Sequence, residues 1–368
     1  MENCHSHDND GYHGPNGTSA DLSSGANGTD DCAVVALCVA ERIGYALAVP
    51  TIACAGILLN IFNLVVLSTK RFPESSYSYL AALAVADLLS LCFFAVNGIG
   101  RGNYPDDYAW RVFEVYVYFP LGHSTTTASV LLTVTVTVER YAFIYHPMKS
   151  KAWCNQVTAR RVVAAVAALS FLINIPRFFV MTADGDGHLK FTDFSRSTFY
   201  VYLSWVYFSL LSLAPSLSLI FFNALLIIGI RKTGQKRKSL FANRTGNDRS
   251  QEEATLTRTL IIVVCVFIAG ELPSSFTSRS LIVALICGGD QSLLKTTGYR
   301  IAVLVSTILV VMQHSLNFVV YCVFNRRFCS VLRLHYLPML CGCRSRLVQV
   351  VDEIKGNSEK GSSLHTAV

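Results

Sequence analysis

Four charged side chains stand inside stretches of sequence that are otherwise apolar, and their types set out the chemistry open to this chain. Asp87 lies in Leu83-Ala-Val-Ala-Asp87-Leu-Leu. Asn60, Ser129 and Asn317, in three other apolar stretches, are the polar groups best able to meet it. A carboxylate among neutral oxygens suits a small cation, for instance an allosteric sodium ion at Asp87 and Ser129, or a proton-linked switch. The same set also serves as a hydrogen-bonded packing knot. Glu139-Arg140-Tyr141 closes a third apolar stretch. Adjacent Glu139 and Arg140 can neutralise each other, and Arg140 can also reach Glu253. Such a pair adds little net stability, but it makes a latch, because opening it presents a guanidinium to a partner. Glu271 lies in Phe267-Ile-Ala-Gly-Glu271-Leu-Pro273. Pro273 removes a backbone hydrogen bond and can kink a helix. A carboxyl beside that kink is either a protonated core group or the acidic floor of a ligand pocket.

The elements that must position these groups follow from composition. The chain is 368 residues long, 52% hydrophobic and 15% charged, with a mean hydropathy of +0.42. Soluble domains carry about 25% charge. Seven apolar runs occur near 43–68, 77–100, 112–142, 159–180, 199–230, 258–287 and 297–322. Each reaches the roughly 20 residues that span a bilayer as a helix. Barrel strands would be about 10 residues long and would alternate, which these do not. The expected fold is an all-α membrane bundle of seven transmembrane helices with a short amphipathic eighth helix at 324–336. An ionisable residue inside such a span is costly and points to function.

Of the 31 lysines and arginines, 22 fall on the side of the chain's last residues and 9 on the other. The positive-inside rule then puts residue 1 outside the cell and the tail in the cytoplasm of a plasma-membrane protein. The net charge of +7 speaks of topology and membrane lipids, not of nucleic acid. Residues 1–41 are polar, carry no lysine or arginine, and read as a disordered extracellular segment ahead of a transmembrane domain at 42–323. They show no early apolar core, so the first span is expected to act as the insertion signal. Asn16-Gly-Thr18 and Asn27-Gly-Thr29 are glycosylation sequons there. A disulfide from Cys32 or Cys38 to Cys287 would tie this segment to the sixth span. Cys341 and Cys343 are juxtamembrane candidates for palmitoylation, in a cytoplasmic tail at 337–368. Thr366 and Val368 fit a PDZ-domain ligand.

These residues resemble the rhodopsin-like G-protein-coupled receptors. The likeness rests on Asn60, Leu-Ala-Val-Ala-Asp87, Glu139-Arg140-Tyr141, Tyr-His-Pro147, Pro215, Phe267 with Pro273, and Asn317-Phe-Val-Val-Tyr321. It covers about residues 43–335. Within the class, Asn174-Ile-Pro176-Arg-Phe-Phe179, Gly270-Glu271-Leu-Pro273 and Asn317-Phe318 look like invertebrate neuropeptide receptors of the FMRFamide, myosuppressin and sex-peptide group. The resemblance implies an extracellular peptide ligand bound between the outer helix halves by Asn97, His123, Trp205, Tyr207 and Glu271. It implies an outward swing of the sixth helix about Pro273. It implies release of Arg140 from Glu253, repacking of Tyr321 beside Asn317, and entry of a heterotrimeric G protein. Arrestin and receptor kinases are further implied partners.

The chain also departs from the family pattern. Val115 stands where most members carry the third-helix cysteine, residues 181–198 contain no cysteine, Ala167 replaces a tryptophan, and Asn223 replaces a tyrosine. Residues 297–322 hold no lysine, which excludes a retinal-binding opsin, and Gly122 stands where amine receptors carry an aspartate. No nucleophile–base set marks an enzyme, and no repeated halves mark a transporter. The alternative is an orphan or constitutively active receptor, or one for a small non-peptide molecule.

Overall fold

The computed structural model describes residues 28–69, 74–105, 107–183, 189–240, 247–277 and 296–333. Among the described residues, seven helices are long and apolar enough to cross a membrane. They are α1 (Val35–Leu67), α2 (Ser75–Asn103), α3 (Tyr108–Tyr145), α4 (Gln156–Phe179), α5 (Thr198–Arg231), α6 (Thr257–Phe276) and α7 (Thr297–Phe324). A six-residue helix, α8 (Arg326–Val331), follows, capped by the Asn325 side chain, which accepts from the Phe328 amide at 3.1 Å. Two strands, β1 (Met181–Ala183) and β2 (Leu189–Phe191), form an antiparallel hairpin between α4 and α5. The two ends of the bundle are named below as the hairpin face and the α8 face.

Three helices open into wide π turns near the hairpin face: Gly44–Ala48 in α1, Glu114–Gly122 in α3 and Phe208–Leu213 in α5. Each has a proline within it or within two residues beyond it, namely Pro50, Pro120 and Pro215. Proline lacks an N–H, and its ring presses on the carbonyl one turn back. Widening that turn relieves the clash while the other backbone groups stay bonded, which lipid demands. α4 ends instead in a tight 3-10 turn, Ile175–Phe179, with Pro176 at its start.

α2 packs on α1, α3, α4 and α7, and α7 packs on α1 and α6. α4 is the most peripheral, with only 17% of its apolar window buried, against 50% for α2, α3 and α7. Leu58, Leu172, Tyr202, Leu210 and Phe221 face outward. Water would penalise so large an apolar surface, whereas lipid accepts it. Small residues let helices approach: a Cβ added at Gly56 of α1 would collide with Ser315 of α7, and one at Gly102 of α2 with the Ala46 backbone of α1. The core toward the α8 face is built on Leu80, Leu83, Val136, Leu260, Tyr321 and Phe328. Phe328 of α8 meets Phe318 and Tyr321 of α7, each at 5.8 Å between ring centroids.

One sequence expectation changes here. The helix that continues into α1 begins at Gly28, within the segment 1–41 read as disordered. The run Ala33-Val-Val-Ala-Leu-Cys-Val-Ala40 is apolar and free of glycine and proline, so it extends the helix once nucleated. For the sixth run, read as 258–287, the described helix reaches Phe276 and residues 278–287 lie outside the described residues.

Candidate functional site

Three polar layers cross the bundle. In the middle layer the Asp87 carboxylate of α2 has no exposure. Its Oδ1 accepts from Ser129 Oγ of α3 at 2.7 Å and lies 2.7 Å from His314 Nδ1 of α7. Its Oδ2 accepts from Asn317 Nδ2 at 2.6 Å. Ser129 and Asn317 thus stand where the sequence reading set them. Asn60 does not reach the carboxylate: its side-chain amide donates to the backbone carbonyls of Gly56, at 2.9 Å, and of His314, at 3.0 Å. His314 was missed. It precedes Asn317 by three residues, one helical turn on the same face, and that spacing was the available signal.

Toward the α8 face, Glu139 and Arg140 are both buried. The Glu139 carboxylate accepts from the Ser75 and Ser76 hydroxyls at the start of α2, the second at 2.7 Å. So the acid of this motif is held by the first turn of α2. The Arg140 guanidinium lies 5.3 Å from the Phe143 ring. Tyr141 stacks on Tyr145 at 4.8 Å and meets Phe222 of α5 at 5.2 Å. Cys154, just before α4, has its thiol pushed above the usual 9.0 by burial and by the Glu139 carboxylate. The Glu253 side chain lies outside the described ones.

Toward the hairpin face, Glu271 and Pro273 lie within α6. The Glu271 Oε2 is buried with no hydrogen-bond partner among the described residues. Gly270 brings α6 against Gln313 and Leu309 of α7. Asn97 is buried in α2. His123 is exposed, its ring edge-on to Phe119 at 5.1 Å. Tyr207 is buried, and its hydroxyl donates to the Ile173 carbonyl of α4 at 2.6 Å. Trp205 does not join them. It is 40% exposed, in a part of α5 where Val201, Tyr202 and Leu210 are exposed too.

Arg177 is a residue of this layer to which the sequence reading gave no role. Its Nε donates to Asn174 Oδ1 at 2.7 Å, and its guanidinium lies 5.3 Å from the Phe119 ring and 5.1 Å from the Tyr207 ring. Asn174, fully buried, also donates to Thr127 of α3 at 3.1 Å. A planar cation held between two aromatic faces is well placed to bind an acceptor. At the rim, Glu41 of α1 pairs with Arg300 of α7 at 2.5 Å and with Arg101 of α2 at 3.8 Å, and Arg101 lies over Tyr45 at 4.4 Å. With Val115 buried in place of a cysteine, the neighbouring Tyr116 hydroxyl bonds Thr182 of β1 at 3.1 Å and joins α3 to the hairpin.

The stretch of chain that carries most of these groups matches known proteins. The family pattern of 7 transmembrane receptors (rhodopsin family) matches residues 60–321. The chain belongs to that family. It is a multi-pass membrane protein. It is 26% identical over 297 residues to the FMRFamide receptor of Drosophila melanogaster, an alignment covering 74% of this chain and 50% of that one. Thus the chain spans about half the length of that relative. The sex peptide receptor of Drosophila melanogaster is 26% identical over 328 residues, covering 80% of this chain and 73% of the relative. The B1 bradykinin receptor of Macaca mulatta is 25% identical over 226 residues, covering 59% and 61%. Asn16, Asn27, Cys287, Cys341, Cys343, Thr366 and Val368 lie outside the described residues. Cys32 is in the helix that begins at Gly28, and its side chain is not described.

Proposed function

We propose that this rhodopsin-family receptor binds an extracellular peptide at the hairpin face and passes the signal to a heterotrimeric G protein at the α8 face of a plasma-membrane bundle. The observation that carries this reading is the pair of opposite polar groups toward the hairpin face: the buried, unpartnered Glu271 Oε2 and the ring-flanked Arg177. A peptide with a basic side chain and amide carbonyls offers a partner to each. Amidated peptides of the FMRFamide type have both, and the relatives named for FMRFamide and sex peptide support that class. Ligand binding and G-protein binding would be coupled reciprocally through the bundle.

The test is a calcium assay in cells bearing a promiscuous G protein, with a library of amidated neuropeptides and an Arg140→Ala control. A dose-dependent signal that disappears in the control establishes a peptide receptor. Silence across the library, with normal surface expression, removes the peptide reading. A Glu271→Lys variant that still responds normally removes Glu271 from the pocket.

A further inference from the structure

We infer that His314 fills the place of a bound cation at Asp87, so that this receptor does not take sodium at its central carboxylate. A hard cation needs oxygen lone pairs directed at it. At Asp87 three side-chain groups reach the carboxylate as partners: Ser129 Oγ at 2.7 Å, Asn317 Nδ2 at 2.6 Å and His314 Nδ1 at 2.7 Å. The serine hydroxyl and the asparagine amide turn hydrogens, not lone pairs, toward it. Both carboxylate oxygens are thereby engaged by protein groups. The residues do not fit a sodium ion at Asp87 and Ser129.

The imidazole is buried as completely as the carboxylate, with Nδ1 on Asp87 and Nε2 without a hydrogen-bond partner among the described residues. Asp87 and His314 both have no exposure. The ring lies 6.2 Å from Phe94 of α2, centroid to centroid. The His314 backbone is pinned from α1 by the Asn60 amide at 3.0 Å. On the next residue, Ser315 Oγ donates to the Val311 carbonyl at 2.7 Å, so that hydroxyl is also directed along α7. Entry of a cation would require the ring to leave a fully buried site and its hydrogen bond to Asp87 to break. No group of three or more histidine, cysteine, aspartate or glutamate side chains among the described residues offers a metal site elsewhere.

The inference does not depend on the ligand, so it is tested with the ion alone on the purified full-length receptor. Thermal unfolding is recorded in sodium chloride and in N-methylglucamine chloride at equal ionic strength, for the wild type, Asp87→Asn, His314→Ser and His314→Ser/Asp87→Asn. The expected result is one midpoint for the wild type in both salts. His314→Ser frees the ring's volume and adds a hydroxyl oxygen, and it should gain a rise of several degrees in sodium that the double variant loses. A wild-type midpoint raised by sodium, with the rise lost in Asp87→Asn, overturns the inference. So does a folded His314→Ser that shows no sodium effect. Should His314→Ser fail to fold, sodium-23 NMR on the wild type decides. Equal line widths for the wild type and Asp87→Asn uphold the inference, and broadening confined to the wild type overturns it.

Discussion

Glu41 of α1 and Arg300 of α7 close the hairpin face of the bundle with an ion pair of 2.5 Å, although they are 259 positions apart in the chain. Glu41 also faces Arg101 of α2 at 3.8 Å. Its carboxylate is therefore the negative centre between two cations, and Arg42 beside it donates from Nε to the Gly102 carbonyl at 3.1 Å. Removing the charge leaves Arg101 and Arg300 facing each other. Glu41→Gln is expected to cost about 1.5–3 kcal/mol, the usual worth of a hydrogen bond to a charged group. The check is the thermal midpoint of the detergent-solubilised receptor at low salt. A midpoint equal to that of the wild type would contradict it.

Release of Glu139 from α2 should raise basal signalling. The two serine hydroxyls that hold its carboxylate come from the first turn of α2. A Ser75→Ala/Ser76→Ala variant leaves a buried carboxylate short of two donors and destabilises the resting arrangement by about 1–3 kcal/mol. Agonist-free nucleotide exchange on a G protein should then rise about fivefold or more at equal surface expression. Unchanged exchange would show that these bonds are structural only.

The hairpin has a measurable tether. Tyr116→Phe removes the hydroxyl bonded to Thr182 and keeps the ring. The loss of about 1 kcal/mol should speed amide hydrogen exchange in Met181–Ala183 and Leu189–Phe191 by about fivefold, with α2 unaffected. Exchange that stays the same in both strands would show that the bond does not hold the loop.

Cys154 gives a pH test. Burial first, and then the Glu139 carboxylate, favour its neutral thiol. Only the thiolate reacts with a maleimide. Labelling of Cys154 should therefore climb about tenfold per pH unit from about pH 7 to about pH 9, with no plateau. It should be faster in Glu139→Gln at every pH in that range. Labelled peptides are identified by mass spectrometry with Cys154→Ser as the blank. A plateau below pH 9 would reverse the sign of the argument.

Much of this was legible in the sequence, and the rest was hidden for physical reasons. Seven spans show in composition because lipid forces whole apolar helices. Ser129 and Asn317 were found as partners of Asp87 because few polar side chains occur at mid-helix depth, so pairing them is nearly forced. Asn60 was misassigned to Asp87 and His314 overlooked because the choice between a carboxylate and a backbone carbonyl depends on rotations that no spacing reports. Glu139 was read only beside Arg140, its neighbour in the chain, because nothing in the spacing announces that the serines of α2 bond its carboxylate. Glu41 was counted with the acidic segment before α1, since nothing in the sequence marks a distant arginine as its mate.

The proline-linked wide turns of α1, α3 and α5 have an evolutionary consequence. A π turn accommodates one extra residue without disturbing the helix on either side. All three lie near the hairpin face. An insertion or deletion there slides the outer side chains by one position, about 100° around the axis, and leaves the Asp87 and Glu139 layers in place. Ligand preference in this lineage can thus drift by single-codon indels as well as by substitution, and an alignment to relatives needs separate gaps for the outer halves of these helices.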